Sequence, residues 1–103
     1  MVEVRWTTQS LEDIDNIAEY IAKDSFRYAQ IQVAKLFEAI ECLIDFPKTG
    51  RIVPEVGDKT LRELIVGFYR IIYRIKSIDK IDVLTVYHTK RLLAKKKIGT
   101  LKQ

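Results

Sequence analysis

The chain has 103 residues, 48% of them hydrophobic, a single cysteine and a formal net charge of +4. That length and apolar content fit one domain over residues 1–103 with a modest core, and a lone thiol excludes an internal disulfide framework. With neither a basic-then-apolar leader nor a run of about 20 apolar residues, the expectation is a cytoplasmic protein without membrane contact.

Charge is segregated along the chain. Residues 1–50 carry five basic and nine acidic side chains, net −4, and residues 51–103 carry thirteen and five, net +8. The second half is therefore expected to meet something acidic, either nucleic acid or an acidic peptide.

Val2, Val4 and Trp6 alternate with Glu3 and Arg5, the period of a half-buried strand. Thr7, Thr8 and Ser10 offer capping oxygens, and Glu12 and Asp13 place negative charge near a helix start. Leu11, Ile14, Ile17, Ala18 and Ile21 then recur at helical spacing, which predicts a helix over about 8–23. Asp24 and Ser25 can cap a second helix, about 25–46, whose stripe is Ala29, Val33, Phe37, Ile40 and Ile44, widened by Leu36 and Leu43. Cys42 falls in this pattern and reads as a small buried hydrophobe. Pro47 ends the helix, and the short link makes the two an antiparallel hairpin.

Residues 47–60 hold Pro47, Gly50, Pro54 and Gly57 and read as a loop, longer than most connections in compact domains. Three strand patterns come next, over Leu61 to Val66, Tyr69 to Ile75 and Ile81 to His88, separated by Gly67-Phe68 and by Ser77 to Lys80. Turns this short force antiparallel pairing. In the middle strand Tyr69, Ile71, Tyr73 and Ile75 share one face, and Arg70, Ile72 and Arg74 share the other. Residues 90–103 form a basic tail without an acid. The fold class is α+β, in the order β-α-α-β-β-β: an antiparallel sheet packed by a helical hairpin on one face, the other face left open. Arg70 and Arg74 are expected on that open face. Ile14, Ile17, Phe37, Ile40, Ile71 and Tyr73 are the expected core.

Three segments in this order carry a family resemblance. Pro47-Lys-Thr-Gly-Arg51 with Val53-Pro54-Glu55 resembles the helix-exit loop of ParE-like toxins. Leu61-Arg-Glu-Leu64 and Gly67-Phe-Tyr-Arg-Ile-Ile-Tyr-Arg74 resemble the central hairpin of the RelE/ParE superfamily, and Val83-Leu-Thr-Val-Tyr-His88 with Lys90-Arg91 resembles its last strand. The similarity spans about residues 2 to 93 and is nearer to ParE, the plasmid-stabilisation type, than to RelE. It implies a RelE/ParE-like fold and the toxin of a type II toxin–antitoxin system, held by a cognate acidic antitoxin in a hetero-oligomer of two toxins and two antitoxins. ParE-type members poison DNA gyrase by binding it. The alternative it implies is a RelE-type endoribonuclease that cuts mRNA on the ribosome.

Metal-free RNA cleavage needs a proton acceptor, charge stabilisation on the phosphorane and a proton donor for the leaving oxygen. The chain offers Arg51, Arg62, Arg70, Arg91, Glu55, Glu63, Tyr87 and His88. By position in the resemblance, Arg70 matches a phosphate-binding strand residue, His88 an acid–base residue near the chain's end, and Glu55 a general base. The catalytic set under this alternative is Arg51, Arg70, His88 and Arg91. Against each stands a plain structural role: Arg70 paired with Glu63, Glu55 and Asp58 closing the loop, Tyr69 and Tyr73 in the core, and His88 a strand-end residue. The partner-binding set is Arg62, Arg70, Arg74, Lys90, Arg91, Lys95, Lys96 and Lys97. One histidine, one cysteine and no carboxylate pair at ligand spacing lead to an expectation of no metal and no cofactor.

Overall fold

A computed structural model of the chain describes residues 2–90. Strand β1 (Glu3–Trp6) leads into helices α1 (Thr8–Ala22) and α2 (Phe26–Asp45), then β2 (Arg51–Ile52), β3 (Leu61–Val66), β4 (Tyr69–Ser77) and β5 (Lys80–His88). The α+β class, the helical hairpin and the antiparallel meander are as the sequence predicts. Two pairings go beyond it. The sheet order is β1-β5-β4-β3-β2, with β1 lying parallel to β5, Val4 beside Ile81 and Trp6 beside Val83, so the sheet as a whole is mixed. The helical hairpin and the strands β2 to β4 all lie between these two parallel neighbours in the chain, far more than the dozen residues a parallel return requires. The second is β2, two residues within the predicted loop, paired antiparallel to β3.

Local chemistry sets the helix ends. The Thr7 hydroxyl accepts the Ser10 N–H at 3.2 Å and donates to Val83 O at 2.7 Å, so one side chain caps α1 and ties it to β5. Glu12 and Asp13 lie past the first turn of α1. Ser25 caps α2 through the Tyr28 N–H at 3.1 Å. The buried row of α2 is Ala29, Gln32, Leu36, Ile40 and Leu43, rotated from the predicted stripe. Phe37 is consequently at the rim, 38% exposed, with its ring 4.9 Å from Trp6. Cys42 is exposed too. Both expectations of burial fail for one reason: apolar character at helical spacing permits a face about 100° wide, and packing against the sheet selects its centre.

The core lies on both sides of the sheet. Ile14, Ile21, Leu36 and Ile40 pack on Tyr69, Ile71, Val83 and Val86 from the helical side. Leu43 meets Tyr73 and Ile81 on that side as well. On the other side Val53 and Val56 cover Leu61, Ile72, Leu84 and Tyr87. The face expected to be open is therefore closed by the loop. Double-sided cover explains why every residue of Ile81 to Tyr87 is buried.

The loop is fastened by one tyrosine. Tyr73 donates its hydroxyl to Pro47 O at 2.8 Å and accepts the Gly50 N–H at 2.9 Å. A Cβ at position 50 would fall 2.5 Å from Glu63 O and 2.6 Å from the Tyr73 hydroxyl, so this approach requires glycine.

Candidate functional site

Beneath the loop, β3 and β4 bring together the charges that the sequence singles out. Arg70 directs Nη1 and Nη2 to the two carboxylate oxygens of Glu55, each at 2.8 Å, while its Nε donates to Glu63. Glu63 also accepts Arg51 Nε at 2.6 Å. The four alternate in sign along one chain of contacts: Arg51, Glu63, Arg70, Glu55. Glu63 has no exposed side-chain surface and Arg70 only 11%. A lone carboxylate at that depth would be strongly unfavourable, and two guanidiniums compensate it. The Arg70 Cζ also sits 5.7 Å from the Tyr87 ring centroid.

The electrostatics arise from these contacts. Hydrogen bonding from Arg70 holds the Glu55 carboxyl below its ordinary value, against a smaller opposing effect of burial. The Glu55 carboxylate in turn strengthens the hold of Arg70 on its proton. Burial pushes the Tyr87 phenol up to about 12, so it is neutral at pH 7.

His88 belongs to the opposite side. It is the cross-strand partner of Tyr69 and meets that ring edge-on at 5.6 Å, while Phe68 stacks on it at 6.1 Å. Its Nδ1 accepts the Lys90 N–H at 3.1 Å, which leaves Nε2 to carry the proton in the neutral ring. A cavity of about 500 Å³ opens here between α1 and the sheet, walled by Asp13, Asn16 and Tyr20 and by Tyr69, Val86 and His88. It exists because β1 ends opposite Val83, and α1 covers the remaining edge of β5. Asp13 closes part of that edge: one oxygen accepts the Val86 N–H at 3.0 Å and the Thr85 hydroxyl.

The residues proposed from sequence thus divide among several places. Arg51, Arg70, Glu55, Glu63 and Tyr87 converge, and His88 lies across the sheet from them. Arg62 points toward the helical side as the partner of Tyr73 and donates to Gly50 O at 2.9 Å. Arg74 shares the side of Arg70 but is only 16% exposed, bonded to the Thr60 hydroxyl at 2.8 Å and 3.9 Å from Asp58. Lys90 is exposed. Arg91, Lys95, Lys96 and Lys97 lie outside the described residues, as does all of the predicted tail past Lys90. Among the described residues no group of three potential ligands gathers to hold a metal ion, and no helix is long and apolar enough to cross a membrane.

Two acids carry a signal in their position, and of their two roles only the pairing of Glu63 with Arg70 is among the sequence expectations. Glu63 occupies the apolar phase of β3, between Leu61 and Ile65. Asp13 occupies the i, i+4, i+8 row of Ile17 and Ile21 on α1. An acid in an apolar row is either a flaw or a partner of something buried, and here both are partners.

Comparison with known proteins adds three findings. The family model described as "ParE toxin of type II toxin-antitoxin system, parDE" matches residues 4–93. The chain is 36% identical over 87 residues to "Putative toxin Y4kP" of Sinorhizobium fredii (strain NBRC 101917 / NGR234), covering 82% of this chain and 85% of that protein. Its fold is similar to a chain of the chromosomal ParDE TA system from P. aeruginosa, with a TM-score of 0.70 at 21% identity, over 85% of this chain and 96% of that one.

Proposed function

The chain belongs to the ParE toxin family of type II toxin–antitoxin systems, and from that membership we propose that it arrests growth by binding DNA gyrase and is silenced by a cognate acidic antitoxin in a hetero-oligomer. The observation that carries the choice of mechanism is the engagement of Arg70. Its guanidinium makes three hydrogen bonds to two carboxylates beneath the loop, so the group best suited to a phosphate serves as a pin inside the fold. His88, the acid–base candidate, faces the other side of the sheet beside Tyr69. This separation favours an inhibitor that acts through its surface. Antitoxin contact is assigned to the basic residues Lys90, Arg91, Lys95, Lys96 and Lys97, with a cytoplasmic site of action.

One observation favours the second reading, a ribosome-dependent mRNA endoribonuclease. Glu55, Arg70 and Tyr87 do converge, and a carboxylate beside a guanidinium and a phenol could serve general base and phosphorane stabilisation. That role requires the Glu55–Arg70 pair to part as substrate enters. A paired assay separates the readings: gyrase supercoiling, and mRNA cleavage on translating ribosomes, each with wild type and Arg70→Lys. The expected result is lost supercoiling and intact mRNA. Ribosome-dependent cleavage by wild type, abolished in a folded Arg70→Lys protein, overturns the gyrase reading and leaves family membership standing.

A further inference from the structure

The outer side of the helical hairpin carries an apolar groove. Its floor is Ala18 and Ala22 of α1 with Ala29, Val33 and Ala34 of α2, and its volume is about 510 Å³. Near the interhelical link Phe26 stands 70% exposed, a large ring left in water beside the groove it helps to line. Charge divides between the two helices. α1 carries Glu12, Asp13, Asp15 and Glu19 and no basic residue. The first half of α2, Phe26 to Leu36, carries Arg27 and Lys35 and no acid. Glu19 belongs to the α1 wall of the groove, and Arg27 lies about one turn from Gln30 of the α2 wall. Glu19, Arg27 and Gln30 are all exposed. Only residues 23–25 link the helices. Glu19, three residues before Ala22, and Arg27, one after Phe26, therefore sit at nearly the same level of the hairpin.

We propose that this face is a self-association surface, on which a second copy of the chain packs hairpin to hairpin. A two-fold contact joins the same patch of both copies, so each pairing occurs twice. Two arrangements bring the grooves face to face. With the axis across the helices, α1 lies on α1 of the second copy, and the acids Asp15 and Glu19 meet acids. With the axis along the helices, α1 of each copy lies on α2 of the other, the antiparallel order of a four-helix bundle. Charge selects the second arrangement, because like charges opposed across an interface work against binding. This axis keeps every residue at its own level. Glu19 then faces Arg27 of the second copy, and Arg27 faces Glu19 of the second copy. The same axis sets Phe26 over Ala22 and Ala18 of the second copy, whose single-carbon side chains leave room for a ring. Covering both rings and both grooves removes apolar surface from water. The inference concerns the chain alone and does not depend on the toxin reading.

The test is sedimentation equilibrium of the full chain over a range of concentrations, with circular dichroism as the check on folding. Wild type is expected to pass from monomer to dimer as concentration rises. Phe26→Ser should weaken the dimer by about 30-fold or more, as loss of a central aromatic anchor does. Glu19→Arg and Arg27→Glu, each alone, should weaken it as well, since each sets like charges opposite one another twice. Mixed in equal amounts, these two variants should associate again, because the first then offers only cations at the two positions and the second only anions. A wild-type chain that stays monomeric throughout overturns the proposal and leaves the groove to a different protein. A dimer indifferent to Phe26→Ser overturns it too, since the copies then meet through another face. So does a mixture of the two charge variants that associates no better than either alone.

Discussion

The backbone N–H of Gly50 donates to the Tyr73 hydroxyl at 2.9 Å, and the same hydroxyl donates to Pro47 O at 2.8 Å. A single phenol from the middle of β4 thereby holds the chain as it leaves α2 and enters β2. The loop that carries Val53 and Glu55 across the far side of the sheet starts from this clasp.

Tyr73→Phe should leave the Gly50 N–H buried without a partner, a loss of about 1–3 kcal/mol. Gly50→Ala should cost more, because its Cβ would meet the Glu63 backbone oxygen, which cannot swing aside as a side-chain end could. Urea unfolding of both variants checks the order. A Gly50→Ala protein as stable as wild type contradicts the described path of the loop.

The Arg70 pin predicts an acid-sensitive limb. The folded-state value of Glu55 lies below its ordinary 4.5, so its contribution is present above that value and is lost as pH falls through the lower folded one. Glu55→Gln should flatten the decline in stability below about pH 4.5. At pH 7 Arg70→Met should destabilise by about 3–5 kcal/mol, since it leaves Glu63 buried with Arg51 alone. Arg70→Lys should lose less, keeping the charge without the fork. Thermal unfolding between pH 3 and 7 would show an unaltered acid limb in Glu55→Gln if the ion pair contributes nothing.

Asp13 acts as a strand substitute at the edge of β5 that β1 leaves unpaired. Asp13→Ala should cost about 1–3 kcal/mol by stranding the Val86 N–H, and Asp13→Asn should cost less because it retains an acceptor. Hydrogen exchange at Val86 should accelerate in the alanine variant while Ile71, on the neighbouring strand, exchanges at a rate set by global stability. Equal acceleration at both sites would mean that Asp13 has no local role.

Packing depth decides the helix α2 substitutions. Leu36 is fully buried, and Leu36→Ala should cost about 2–5 kcal/mol. Phe37 sits at the rim against Trp6, and Phe37→Ala should cost about 0.5–1.5 kcal/mol from the ring pair plus a partial loss of burial. Trp6 is the single tryptophan, so its fluorescence should report Phe37→Ala more strongly than Leu36→Ala. A larger stability loss at Phe37 than at Leu36 would reverse the assigned face of α2.

Much of the architecture is local in origin and could be read from residue order. Helical spacing from Leu11 to Ile21, the caps at Thr7 and Ser25, the stop at Pro47 and the two short turns of the meander each depend on neighbours within a few residues. The pairing of Glu63 with Arg70 is also legible, since turn length sets the register of the hairpin and leaves these two as diagonal neighbours on one face, Arg70 opposite Ile65 and Glu63 opposite Ile72. The parallel seat of β1 beside β5, the closure of the far face by Val53 and Val56, and the separation of His88 from Arg70 depend instead on contacts between segments far apart in the chain. For these, periodicity names a face without naming its cover. Arg70 was expected to face solvent because a sheet with one helical layer leaves a side exposed. In the folded protein the loop brings a partly exposed Glu55 onto that side beside the buried Glu63, and burying Glu63 there is tolerable because Arg70 and Arg51 compensate it.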